Sequence, residues 1–196
     1  MMAMTFRPAL AIAFLLSASP TVAVSGDGIQ TRNEEIESAQ IAQLLSVSEG
    51  TIVADVGAGG GSWTFRLAAR VGAKGRVFAT DVRTPQVDGI RAGARARGLQ
   101  NVTVILGSQE EMGLPANCCD ALLLRLVYHA FTDPKQMRDS LRRAMRPNGL
   151  VLVIDFRPAV GPLTEEMKDA GLEPVQVVER WQDQSDVFAV LFRKVP

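Results

Sequence analysis

A chain of 196 residues fits one domain, and at this size a single core buries well over half of the unfolded surface. An apolar share of 47% beside 21% charged residues is ordinary for a soluble globular protein. Lys plus Arg and Asp plus Glu each number 21, so no global field draws nucleic acid or an anionic membrane to the chain. The local cluster of Arg91, Arg95 and Arg97 reads as the solvated face of a helix.

The N-terminal stretch 1–25 stands apart. Arg7 is its one charged side chain, residues 9–17 form an apolar run too short to cross a bilayer, and Pro20, Ala23 and Ser25 follow. A basic start, an apolar centre and a small-x-small exit predict a secretory signal peptide over 1–25, cut after Ala23 or Ser25. The mature domain, 26–196, is then exported and has no stable membrane span. An uncleaved anchor, a mitochondrial presequence and a start codon placed too early are the competing readings.

After a polar stretch over 26–32, Ile36, Ile41, Leu44 and Leu45 recur at helical spacing and predict a helix over 33–45. A β-branched run over 51–56 stops at glycines, as a buried parallel strand does. A helix over 62–71, a strand over 76–80 and a helix over 87–97 ended by Gly98 come next. Strands over 102–106 and 121–124, a helix over 134–145 with Pro134 in its first turn, and a strand over 149–155 continue the alternation. This βαβ rhythm predicts right-handed crossovers and a parallel sheet covered on both faces. It breaks at the end: a short helix over 163–170 precedes strands over 175–181 and 187–193, close enough to form an antiparallel hairpin. Cys118 and Cys119 are neighbours, so a bond between them would strain the peptide and they are expected to build no framework. They lack the companions of a zinc site, and Cys119 is expected to enter its strand as a small apolar side chain.

The most informative stretch joins the first strand to the helix after it: Asp55, Gly57, Gly59, Gly60 and Gly61. Glycines there let the backbone turn tightly and come close to a ligand at the carboxyl ends of the strands. The second strand ends at Asp81, about twenty residues past the loop, where a carboxylate can accept hydrogen bonds from both hydroxyls of a ribose. Strand, loop, helix and acid together point to an adenosine-containing ligand. They do not by themselves separate nicotinamide cofactors from S-adenosylmethionine, although Ser62 stands where the dinucleotide fingerprint has its third glycine.

Over residues 34–195 the sequence resembles the class I S-adenosylmethionine-dependent methyltransferases. Their first motif, D-x-G-x-G-x-G, is met by Asp55, Gly57, Gly59 and Gly61, and the terminal antiparallel hairpin is their hallmark. The resemblance implies an α/β Rossmann-like three-layer sandwich with a mostly parallel seven-stranded sheet and an antiparallel C-terminal hairpin. It implies S-adenosylmethionine as cofactor and no metal. Asp81 would hold the ribose, with Val82 beside it. The segment from Gly107 through Ser108 and Gln109 to Glu110 resembles the adenine-binding G-D-A-E, with Ser108 standing in for the usual aspartate. Ala58 completes the glycine loop and Arg125 follows as a candidate for the cofactor carboxylate or an acidic substrate. The stretch 120–134 looks like the fourth motif of members that act on small molecules, and Arg146, Pro147, Asn148 and Gly149 like their L-K-P-G-G turn. No N-P-P-Y-type motif follows the fourth strand, which disfavours nucleic acid as methyl acceptor.

Methyl transfer from a sulfonium needs positioning and exclusion of water more than acid–base help. A base is required where the acceptor atom arrives protonated. His129, the one histidine of the chain, is the candidate base, with Arg125 and Tyr128 beside it. Little sequence is left to cover the acceptor, with Trp63 a candidate for the pocket wall. The acceptor is therefore expected to be small, bound in an open site, or covered by a second subunit in a homodimer. The alternatives to an enzyme of this class are a non-catalytic S-adenosylmethionine-binding module and an NAD(P)-dependent oxidoreductase.

Overall fold

The computed structural model describes residues 26–157 and 160–195, so the leader expected over 1–25 lies outside the described residues. Side-chain alternation decides the layers. Along β1 (Ile52–Val56), Val53 faces one side and Ala54 and Val56 the other; Ala121 and Leu123 oppose Leu122 and Leu124 in the same way along β4 (Cys119–Arg125). Ile41 and Leu45 at the end of α1 (Gly26–Leu44) and Leu67 and Val71 of α2 (Ser62–Val71) pack on the first face. Ile90 of α3 (Thr84–Ala96) meets Ala79 of β2 (Arg76–Asp81) on that same side. Met137 and Leu141 of α4 (Pro134–Ala144), with Leu163 and Met167 of α5 (Val160–Asp169), close the second face. Two helical layers thus enclose one sheet.

The sheet has seven strands in the order β3-β2-β1-β4-β5-β7-β6, completed by β3 (Val102–Leu106), β5 (Met145–Phe156), β6 (Leu172–Val178) and β7 (Val187–Lys194). Pairings from β3 through to β5 are parallel, whereas β7 runs antiparallel to both β5 and β6. The order reverses between β1 and β4, which opens a crevice at their carboxyl ends. Among the described residues, no helix is long and apolar enough to cross a membrane.

Several boundaries differ from those read in the sequence. The first helix takes in the polar residues from Gly26, which apolar periodicity alone could not include. Glu34 and Glu35 bind it to Arg66 and Arg70 of α2. β4 reaches from Cys119 to Arg125 because Cys119 pairs with Met145 and Arg125 with Ile154, lengthening β5 as well. β6 ends at Val178 and not at Trp181. The chain leaves the sheet there because Trp181 turns inward on a short 3-10 turn and is fully buried, its indole N–H donating to Glu37 at 2.8 Å. Cys119 is a buried strand residue, as expected, but the two cysteines are paired with each other as a vicinal disulfide rather than free. Joining neighbours, that bond ties no distant segments together.

Candidate functional site

β1, β2, β3 and β4 deliver their carboxyl ends to one cavity of about 240 Å³. Its lining holds Gly57, Asp81, Val82, Ser108 and Gln109 from the sequence-predicted set. Gly57 has φ +69°, and a Cβ there would collide with Val127, so this position accepts only glycine without rearrangement. Gly59 has φ +54° with open space where a Cβ would stand; it is not among the cavity's lining residues. The Ala58 amide donates to the Thr80 carbonyl at 2.9 Å and stitches the loop to β2, while Gly61 caps α2.

Asp81 is the hub. Its Oδ2 accepts from the Gly59 amide at 2.9 Å and its Oδ1 from the Arg83 amide at 2.9 Å. The Arg83 side chain, itself well exposed, adds a longer contact of 3.3 Å to Oδ1. Two backbone amides therefore fix the carboxylate at the cavity floor while lone pairs remain for further donors. Ser108 is different. Its hydroxyl oxygen accepts from the Glu110 and Glu111 amides, at 3.2 and 3.0 Å, and so shapes its own turn. Gln109, exposed beside it, lines the same cavity. Met112, Val127, Phe131 and Met137 supply apolar walls that sequence reading missed, because isolated apolar residues there look like core.

Arg125 is placed elsewhere. Its guanidinium holds Glu37 through two hydrogen bonds, of 2.7 and 3.1 Å, and lies 4.7 Å over the Trp63 ring. It is not part of the cavity lining, and Trp63 serves as its stacking partner rather than as a pocket wall. His129 sits on the 3-10 turn Tyr128–Ala130, between the lining residues Val127 and Ala130. Its Nδ1 is 2.7 Å from Oδ1 of Asp155, a fully buried carboxylate at the end of β5. Tyr128 points the other way: its hydroxyl donates to Glu166 at 2.5 Å, and burial pushes its ionisation up to about 12, so it stays protonated. Among the described residues no group of His, Cys, Asp and Glu is arranged to hold a metal ion.

A family model described as a methyltransferase domain matches residues 47–189. The chain belongs to the methyltransferase domain family. That membership decides between the two adenosine cofactors the glycine loop left open, and the class is the S-adenosylmethionine-dependent one. A C-methyltransferase of ubiquinone and menaquinone biosynthesis, UbiE of Idiomarina loihiensis, is 28% identical over 124 residues, covering 63% of this chain and 49% of that protein. Nocamycin O-methyltransferase of Saccharothrix syringae is 31% identical over 112 residues, with 57% and 40% covered. The crystal structure of a methyltransferase dependent on S-adenosylmethionine from Aquifex aeolicus superposes with a TM-score of 0.73 at 24% identity, over 84% of this chain and 98% of that one. The chain spans about half the length, or less, of these curated relatives.

The residues of this methyltransferase domain fit the cofactor. Asp81 keeps lone pairs that ribose hydroxyls could use, and Val82 with the apolar walls leaves an apolar face of the kind an adenine could lie against. Asp55, the motif's acid, lies behind the loop rather than in it. It is buried and accepts from the Thr64 hydroxyl at 2.6 Å. Burial raises its ionisation from the ordinary 3.8 to about 6, partly opposed by the Thr64 hydrogen bonds. Because the folded value lies above the unfolded one, the native state holds the extra proton between them. The stability it contributes is fully present below about pH 3.8 and is lost as pH rises through about 6. Denaturant titrations of Asp55→Asn should show a smaller fall in stability across that window than the wild type. Equal slopes would remove Asp55 as their source.

Proposed function

We propose that the protein transfers the methyl group of S-adenosylmethionine to a small-molecule acceptor. The observation that carries this reading is the clasp of Asp81 on the Gly59 amide at the floor of a cavity with apolar walls, at the point where strand order reverses. The balanced charge of the chain offers no field for a nucleic acid. Both curated relatives described above carry names of small-molecule methyltransferases, one acting at carbon and one at oxygen.

When bound, S-adenosylmethionine supplies a methyl group already activated on a sulfonium sulfur. The chain's own residues then have three tasks. Asp81 orients the ligand by accepting its ribose hydroxyls. Val82, Met112, Phe131 and Met137 exclude water, which strengthens every polar contact inside. His129 is the candidate proton acceptor: it does not itself line the cavity, but its neighbours on the same turn, Val127 and Ala130, do. Binding of S-adenosylmethionine and of its demethylated product, measured calorimetrically against NAD, tests the reading.

A further inference from the structure

We infer that His129 and Asp155 form a base dyad, with Asp155 the positioning residue, and that the acceptor is a hydroxyl carried on an aromatic ring. The inference rests on the methyltransferase reading and names the substrate class of that site.

Asp155 Oδ1 accepts from the Phe156 amide at 2.8 Å and its Oδ2 from the His129 amide at 3.2 Å. Both oxygens already accept backbone amides, so an Asp155 carboxylate accepts from Nδ1 of His129 at 2.7 Å. In the neutral imidazole that arrangement puts the proton on Nδ1 and leaves the lone pair on Nε2, which has no partner among the described residues. The side chain of His129 is 43% exposed while that of Asp155 is 0% exposed, so a buried carboxylate aims an accessible base.

Place and surroundings add the substrate class. His129 follows β4 and Asp155 ends β5, the strand next to it, so the dyad stands beside the crevice whose wall includes Val127 and Ala130. The Phe156 ring lies 5.2 Å from the imidazole and is 40% exposed, so part of an aromatic face stands open next to the candidate base. An exposed aromatic face beside a base suits a flat ring bearing an acidic hydrogen. A hydroxyl needs such a base, whereas a thiolate does not. In the step, the acceptor oxygen forms the new bond to methyl carbon as the carbon–sulfur bond breaks, its electron pair remaining on sulfur. The hydroxyl proton passes to Nε2, and the resulting imidazolium is stabilised by Asp155. Among the described residues, Asp155 is the titratable group in contact with the imidazole, from β5, and Phe156 is its other neighbour.

Two measurements on the full chain, purified without a histidine tag, test this. The chain has one histidine, so nitrogen-15 NMR reports a lone imidazole. The wild type should show a protonated Nδ1 and a bare Nε2, and Asp155→Asn should lose that preference. The reverse tautomer in the wild type would overturn the dyad. In the second, naphthol and naphthalenethiol serve as acceptors of the same shape. On naphthol, His129→Ala and Asp155→Asn should each lower kcat by roughly a hundredfold or more, with KM little changed. The wild-type rate should fall on the acid side, a limb that His129→Ala lacks. On naphthalenethiol, already ionised near neutral pH, both variants should stay close to wild type. Equal naphthol rates for wild type and His129→Ala would overturn the base. Failure of the wild type to methylate naphthol while it still binds S-adenosylmethionine would overturn the acceptor class. Failure to bind S-adenosylmethionine at all would instead count against the methyltransferase reading. If Asp155→Asn fails to fold, His129→Ala, altered at an exposed ring, carries the test.

Discussion

Replacing Asp81 with alanine is expected to weaken S-adenosylmethionine binding by roughly a hundredfold or more while leaving a folded protein. Hydrogen bonds to a charged group contribute about 1.5–3 kcal/mol each, and a ribose presents two hydroxyls. The loss is therefore about 3 kcal/mol at the low end, which is roughly two powers of ten in Kd. The same substitution frees the Gly59 and Arg83 amides, so the loop that should receive the ligand also loses its anchor. Asp81→Asn keeps one carbonyl acceptor and should fall between the two. Calorimetric titration of all three proteins checks the order, with denaturant unfolding as the control for folding. Wild-type affinity in Asp81→Ala would remove this residue from the ligand site.

The largest expected effect on stability lies away from the cavity. Glu37 is nearly buried and accepts from Arg125 twice and from the Trp181 indole once. Removing one member of a buried pair typically costs about 3–5 kcal/mol, because the charge left behind is uncompensated. The side chain of Arg125 is 25% exposed, so water can partly replace its partner and the low end applies. Glu37→Ala should thus lower unfolding free energy by about 3 kcal/mol and Tm by roughly 6–12 °C. Glu37→Gln retains an acceptor for Trp181 and should lose less. Adding Arg125→Met to Glu37→Ala should recover part of the loss, since the orphaned charge is gone. A shift in Tm below about 2 °C for Glu37→Ala would show that α1 is held by its other contacts.

What was legible in the sequence, and what was not, follows from distance along the chain. Asp55, Gly57, Gly59 and Gly61 lie within one loop, and Asp81 ends the next strand, so their pairing follows from the βαβ order alone. The Gly59–Asp81 hydrogen bond links residues 22 apart, a separation that the motif itself sets. The Glu37–Arg125 pair spans 88 positions and the Glu37–Trp181 contact 144, and no spacing rule connects them. Arg125 was therefore readable as a charged residue at a strand end, but not as the partner of the first helix. His129 was readable as a lone candidate base. Its partner Asp155 was readable only as the end of a strand, because the pairing needs β4 and β5 to be neighbours. The apolar walls were hidden for another reason: Met112 and Met137 carry no feature that distinguishes a cavity wall from a packed core. The serine at position 108 was visible as a departure from the family, whereas its use in its own turn required coordinates.

Under the proposed function this cavity takes S-adenosylmethionine. Calorimetric titration of the full chain with S-adenosylmethionine, its demethylated product and NAD, paired with thermal unfolding, tests it most directly. Both sulfur-containing ligands should bind at one site per chain, and at a hundredfold over Kd each should add about 2.7 kcal/mol of stability. NAD should do neither. Binding of NAD with the larger stabilisation, and none of S-adenosylmethionine or its product, would contradict the account.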